Sequence, residues 1–192
     1  MTRFIGLTGG IGAGKSEALA AFERLGAATL STDRVTHELL GDEEVREALI
    51  EHWGREIAPN GEVDRERVAA IVFQDPEELR WLESVLHPRV GVHVLDWRNR
   101  LDPEIEVAVV EVPLLFEAAM EDAFDATVAV VADDAVRERR LRERGQAGLG
   151  RREERQLPQA EKEQRADHVI RNDGTIEELE DGVKRLIEEI RG

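Results

Sequence analysis

The chain of 192 residues carries a formal net charge of −16 and is 41% hydrophobic, a composition typical of one globular core with room for an inserted subdomain. It contains no cysteine, which excludes disulfides, thiolate metal sites and a cysteine nucleophile. The acidity disfavours nucleic acid as a partner, and no apolar run reaches the length of a membrane span. Because the N-terminus lacks a signal-peptide pattern, we expect a cytoplasmic protein. We also expect it to be a monomer or a small homo-oligomer.

A glycine-rich motif follows the first predicted strand, RFIGLT. Residues 6–17 read GLTGGIGAGKSE and fit the pattern G-x-x-x-x-G-K-[ST]. From Lys15 onward the apolar spacing predicts a helix that ends before Gly26. Backbone N–H groups of such a loop bind phosphate, the lysine reaches the β- and γ-oxygens, and the hydroxyl of Ser16 can ligate Mg²⁺. A purely structural glycine turn is the alternative interpretation.

The segment AATLSTD, residues 27–33, predicts a second strand and therefore a βαβ unit with parallel strands. Asp33 lies just beyond the carboxyl end of this strand, where open α/β sheets bind their ligands. Its carboxylate can accept the proton of an acceptor hydroxyl, or it can cap the next helix. Residues 34–101 carry mostly helical patterns and all three tryptophans, which indicates a helical insertion. His87, in the LHPR segment of this insertion, is either a functional residue or an ordinary packing residue.

The rest of the chain predicts three further strands and three helices. EIEVAVVEVP (104–113), ATVAVVA (126–132) and HVIRN (168–172) are strand patterns, and IEELEDGVKRLIEEI is a closing amphipathic helix. Helices are also predicted over 134–144 and from near Arg152 to Ala166. Glu111 ends the third strand, where a carboxylate can hold Mg²⁺ through water or be an ordinary charge at a strand end.

Positive charge is concentrated in residues 137–155, which hold eight arginines and four glutamates. Arg140 and Arg144 lie four apart on one predicted helix face, before the glycine-rich segment GQAGLG, and Arg152 follows that segment. Guanidinium groups match the charge that spreads over a phosphoryl group during transfer. The pattern indicates an anion-binding flap, with a salt-bridged surface helix pair as the alternative.

In series, these segments resemble the dephospho-CoA kinase family. The resemblance rests on GGIGAGKS, TDRVTHEL, LHP, VPLLFE and QRADHVIRNDGT, in this order over nearly the whole chain. It implies an α/β P-loop kinase core with a five-stranded parallel sheet (residues 1–33 and 102–192), a helical acceptor-binding insertion (34–101) and a mobile lid (about 140–152). It also implies ATP as co-substrate, Mg²⁺, and phosphorylation of the ribose 3′-hydroxyl of dephospho-CoA, the last step of coenzyme A biosynthesis.

The resemblance also assigns roles to particular residues. The catalytic residues are Asp33, Lys15 and Arg140. The residues implied to bind the nucleotide overlap with these at Lys15; they are Gly12, Ala13, Gly14, Lys15, Ser16, Glu17, Arg144 and Asn172. From their positions and the motif, not from the resemblance, His87 and Glu111 are predicted to join Asp33 at the acceptor, and Ser16 is predicted to hold the metal.

One departure bears on the metal, because Ser31 stands where the family often has an aspartate. If that aspartate helps to hold the metal, its absence weakens the site or leaves it to Ser16 and Glu111. Two other classes stay open: a different P-loop kinase of small molecules or nucleotides, and an ATP-binding switch protein. No guanine-reading N-K-x-D motif is present, which argues against a GTPase.

Overall fold

The computed structural model describes residues 2–143, 145 and 155–191. The described strands are β1 (Arg3–Gly9), β2 (Ala28–Ser31), β3 (Val107–Glu111), β4 (Ala126–Val131) and β5 (His168–Arg171). The α-helices are α1 (Lys15–Arg24), α2 (Thr32–Leu39), α3 (Glu43–Trp53), α4 (Arg65–Val72), α5 (Pro76–Asn99), α6 (Asp134–Glu143), α7 (Gln159–Arg165) and α8 (Ile176–Arg191). Short 3₁₀ helices lie at Arg55–Ile57 and Glu121–Ala123.

The five strands form one parallel sheet in the order β2-β3-β1-β4-β5. This confirms the predicted α/β class and the five-stranded parallel sheet. The two strands beside β1 are buried almost throughout, which explains why β3 and β4 read as continuous apolar runs in the sequence. All five strands run the same way, so their carboxyl ends lie at one edge of the sheet.

The chain divides into two compact units, residues 1–31 with 101–192 and residues 32–100. In the first unit, α1 and α8 pack on the sheet around a core that includes Ile5, Phe22, Val128 and Val183. The apolar face predicted for the closing helix is buried as expected, at Leu179, Val183, Leu186, Ile187 and Ile190. Each such side chain contributes about 1.5–3 kcal/mol by leaving water, so this face fixes α8 on the sheet.

The second unit is helical and has a core of its own, built from α3, α4, α5 and the end of α2. Aspartates at the N-caps of three helices accept hydrogen bonds from backbone N–H groups, at Asp42, Asp64 and Asp75. Glu78 joins α5 to α3, because its carboxylate accepts hydrogen bonds of 2.7 Å from both His52 and Trp53. Within the described ranges, no helix is long and apolar enough to cross a bilayer.

The helix predicted from near Arg152 begins later, at Gln159, so the prediction is wrong for residues 155–158. Pro158 occupies the N-cap of α7 with extended backbone angles. A proline disfavours helical angles in the residue before it, so Leu157 does not extend the helix towards the N-terminus. The part of the prediction at residues 152–154 lies outside the described residues.

Candidate active site

The glycine loop links β1 to α1 and turns sharply at two left-handed glycines. Gly12 has φ 79° and Gly14, the N-cap of α1, has φ 95°, both in the region that residues with side chains rarely adopt. A side chain at Gly14 would also overlap the amide of Asn172. Both glycines are therefore required by the backbone and its neighbours, as a close-fitting phosphate loop demands.

The start of α1 supplies donors to this loop. The backbone N–H groups of Lys15, Ser16 and Glu17 precede the first hydrogen bond of the helix, which Ala18 donates to the Gly14 carbonyl. Together with the positive end of the helix dipole, such groups bind anions. Lys15 Nζ donates to the carbonyl oxygens of Gly9 at 3.0 Å and Gly10 at 3.2 Å, so its charge lies on the loop itself.

Asn172, just after β5, ties the far edge of the sheet to the loop. Its side-chain amide donates a buried hydrogen bond of 2.9 Å to the Ala13 carbonyl, and its backbone N–H donates to Val131 in β4. Its Oδ1 accepts from Arg140 at 3.3 Å. The structure thus brings three of the predicted nucleotide-binding residues together: Ala13, Gly14 and Asn172.

Two arginines of α6 contact the same loop. Arg140 donates to the Ala13 carbonyl at 3.4 Å, and Arg137 Nε donates to the Ile11 carbonyl at 2.9 Å. The Arg137 guanidinium also pairs with Asp134 and lies about 3.5 Å from the position of a side chain at Gly10. Arg137 is not among the site residues that the sequence predicts. Its spacing of three from Arg140, which places both on one helix face, was the signal that could have found it.

Glu111 and Ser31 are direct partners in the register of β3 and β2. Glu111 is the last residue of β3, as predicted, and is only 5% exposed. Among the described residues, no group of three or more His, Cys, Asp or Glu side chains could hold a metal alone. A hydroxyl at Ser16 and a carboxylate at Glu111 are hard oxygen donors, which suit an Mg²⁺ ion that keeps waters and phosphate oxygens as its other ligands.

The remaining predicted site residues lie in the second unit, in the first turn of α1 or outside the described residues. Asp33 is exposed in the first turn of α2, inside the helix rather than at its cap, and His87 is exposed on α5. The side chain of Glu17 forms an exposed ion pair with Arg24 at 3.1 Å. Arg144, Arg152 and most of the segment predicted as a lid lie outside the described residues.

Comparison with known proteins assigns the family. The family model described as dephospho-CoA kinase (CoaE) matches residues 3–178. The chain belongs to the dephospho-CoA kinase family. A dephospho-CoA kinase of Moorella thermoacetica is 37% identical over 195 residues, covering 97% of this chain and 92% of the relative. One from Thermus thermophilus is 36% identical over 193 residues, with 98% and 92% covered.

Solved structures share the fold of this chain. The crystal structure of TT1252 from Thermus thermophilus has a TM-score of 0.78 and 35% identity, and it covers 100% of this chain and 99% of its own. A shikimate kinase from Acinetobacter baumannii, at 14% identity and a TM-score of 0.53, with 99% and 93% covered, shares the fold alone. These findings confirm the predicted resemblance and the P-loop kinase fold. As a member of the dephospho-CoA kinase family, the chain is a phosphotransferase with ATP as its co-substrate.

Proposed function

We propose that this chain transfers the γ-phosphoryl group of ATP to the ribose 3′-hydroxyl of dephospho-CoA and so makes coenzyme A. The observation that carries the proposal is the glycine loop, held by Asn172 and by two arginines of α6 in a chain of this family. We infer the acceptor from the relatives, which are named dephospho-CoA kinases. In the reaction, the bond from the γ-phosphorus to the bridging oxygen breaks, a bond to the 3′-oxygen forms, and ADP leaves.

On the nucleotide side, the loop amides and Lys15 bind the β- and γ-phosphates. Because the ammonium group of Lys15 now lies on the Gly9 and Gly10 carbonyls, it needs only to swing away from them to meet a phosphate. Arg140 and Arg144 offset the charge that develops on the transferred group. Asn172 acts by fixing the loop through the Ala13 carbonyl.

Mg²⁺ is part of the proposal. Ser16 would hold the ion directly and Glu111 would hold it through water, while Ser31 supplies no carboxylate beside Glu111. The bound ion would neutralise charge on the β- and γ-phosphates.

On the acceptor side, we assign the proton of the 3′-hydroxyl to Asp33. Its position two residues beyond the carboxyl end of β2 supports this role, because ligands of open α/β sheets bind at that edge. The carboxylate aligns the hydroxyl and accepts its proton as the new bond to phosphorus forms. The insertion at residues 34–101, including His87, is assigned to the remainder of the acceptor, and the lid at about 140–152 to the exclusion of water. The predicted cytoplasmic location and the predicted monomer or small oligomer stay predictions.

An acceptor panel tests the proposal. The purified protein is incubated with ATP and Mg²⁺ and with dephospho-CoA, shikimate, adenosine or nucleoside monophosphates, and ADP release is followed with a coupled assay. We expect release above background with dephospho-CoA alone. Preference for another acceptor would support a different P-loop kinase, and ATP binding without turnover on any acceptor would support a switch protein.

A further inference from the structure

A completely buried lysine lies close to the residues that follow β3. Lys162, in α7, has no exposed surface. Its Nζ lies 2.9 Å from Glu117 Oε1 and donates a hydrogen bond of 2.7 Å to the Pro113 carbonyl. Neither Lys162 nor Glu117 is among the residues assigned to ATP, metal or acceptor, so the pair requires an explanation of its own.

The pair connects three separate backbone segments. Glu117 Oε1 also accepts the backbone N–H of Leu157 at 2.8 Å, just before α7 begins. The Pro113 carbonyl also accepts the hydroxyl of Thr8 at 3.3 Å, and Thr8 is a buried residue directly before Gly9. The end of β1, the segment after β3 and the start of α7 are therefore held together by one lysine and one glutamate.

One of these segments borders the glycine loop. Residues 156–160 line a cleft of about 340 Å³ together with Gly10, Ile11 and Arg137. Leu157, which Glu117 holds through its backbone N–H, belongs to this wall. A shift of the pair would move the wall of the cleft and, through Thr8, the strand end from which the loop starts.

Stability of the fold does not explain the pair well. Burial lowers the pKa of Lys162, and the hydrogen bond and charge of Glu117 only partly offset that effect. The second carboxylate oxygen, Glu117 Oε2, is buried and has no hydrogen-bond partner among the described residues. Replacing such a buried ion pair by uncharged residues of similar volume is often neutral or stabilising. The benefit of the pair must then lie in where it places the backbone.

We propose that Lys162 and Glu117 are positioning residues of the ATP site, which hold the Leu157 segment and the end of β1 in the arrangement that the glycine loop needs to bind ATP. The pair acts through the backbone of Leu157 and Pro113 and through the Thr8 hydroxyl. The inference rests on the proposed function, which identifies the nucleotide as ATP. It adds Lys162 and Glu117 to the residues that support the ATP site.

The test is the double variant E117Q/K162M, in which methionine fills the space of the lysine stem and glutamine keeps an acceptor for Leu157. ATP binding is measured by calorimetry with Mg²⁺ and without acceptor, alongside the steady-state constants and Tm. We expect Tm to stay equal or to fall slightly, because removal of the buried charges is offset by a buried amide group that has no partner among the described residues. We expect the Kd for ATP to increase about 10-fold and kcat/KM for ATP to fall about as much, since small displacements of a binding site reduce rates strongly. Because binding is read without acceptor, failure of this inference is separate from failure of the proposed acceptor.

Two matched controls make the result specific. K184M removes an exposed lysine, and E121Q removes the partner of Arg165 on the exposed side of α7. Both are expected to bind ATP within about twofold of the unmodified protein, as surface pairs contribute little. The proposal is overturned if the double variant also binds ATP within twofold. It is also overturned if the double variant has a lower Tm and regains its affinity for ATP on cooling, because partial unfolding would then explain the loss. A loss of ATP affinity in E121Q equal to that of the double variant would overturn it as well.

Discussion

Asn172 and Ala13 are 159 positions apart in the sequence and share a buried hydrogen bond of 2.9 Å from the asparagine side chain to the alanine carbonyl. Asn172 lies at the end of β5, at one edge of the sheet, and Ala13 lies in the glycine loop beside the central strand. The bond fixes the position of the glycine loop relative to the edge of the sheet. It also explains why residue 14 has no side chain, since a Cβ there would meet the same amide.

N172A is expected to loosen the loop. The variant removes the buried donor of the Ala13 carbonyl and leaves only the longer bond from Arg140, a loss of about 0.5–1.5 kcal/mol. Tm should fall by roughly 2–4 °C for each kcal/mol in a chain of this size. Calorimetric titration with ATP should show a weaker Kd as well. The matched control N99A changes an exposed asparagine of α5 and should alter neither quantity; equal effects of the two variants would remove Asn172 from the loop's support.

Arg137 is expected to support ATP binding although the sequence alone gave it no role. R137Q removes a charged donor from the Ile11 carbonyl, a loss of about 1.5–3 kcal/mol in hydrogen bonding to charged groups. We expect the KM for ATP to rise about 10-fold, with a smaller change in kcat. R139Q, at an exposed position of the same helix, is the control for a general loss of positive charge. If R139Q raises KM as much as R137Q does, the contact with Ile11 is not the cause.

The sequence predicted the sheet because parallel strands covered on both faces leave continuous apolar runs, such as VAVVE in β3. The glycine loop was equally readable, since Gly12 and Gly14 are demanded by backbone angles. Side-chain contacts between residues far apart in the sequence could not be predicted from it. Arg137 meets Ile11 from 126 positions away, and Lys162 meets Pro113 from 49, so only the folded chain reveals them. The start of α7 is poorly marked in the sequence, because the charged and polar residues there have no apolar period and Pro158 is the one local signal of the helix start.

Asp33 is expected to act on the chemical step. D33N keeps the size of the side chain but removes the proton acceptor, so kcat should fall by about 10²- to 10⁴-fold. The Kd for ATP should change little, because the proposed contact is with the acceptor hydroxyl. E38Q, an exposed change on the same helix, should leave kcat unaltered. Turnover of D33N close to that of the unmodified enzyme would exclude Asp33 as the base.

Ser31 is expected to set the enzyme's need for Mg²⁺. S31D places a second carboxylate at the register partner of Glu111, and added negative charge strengthens the binding of a divalent cation. The Mg²⁺ concentration for half-maximal activity should fall by about 3-fold or more. Without Mg²⁺, Tm should fall because the two carboxylates repel each other. S84D, at an exposed position of α5, should change neither; an unaltered Mg²⁺ requirement in S31D would place the metal elsewhere.

The most direct measurement of the central claim is the identity of the product. The protein is incubated with ATP, Mg²⁺ and dephospho-CoA, and the product is analysed by mass spectrometry and by phosphorus NMR across a range of salt concentrations. The account predicts one added phosphoryl group on the ribose 3′-oxygen, formed in equal amount to ADP. ATP consumption without a phosphorylated product, or a phosphoryl group at another position, would contradict it.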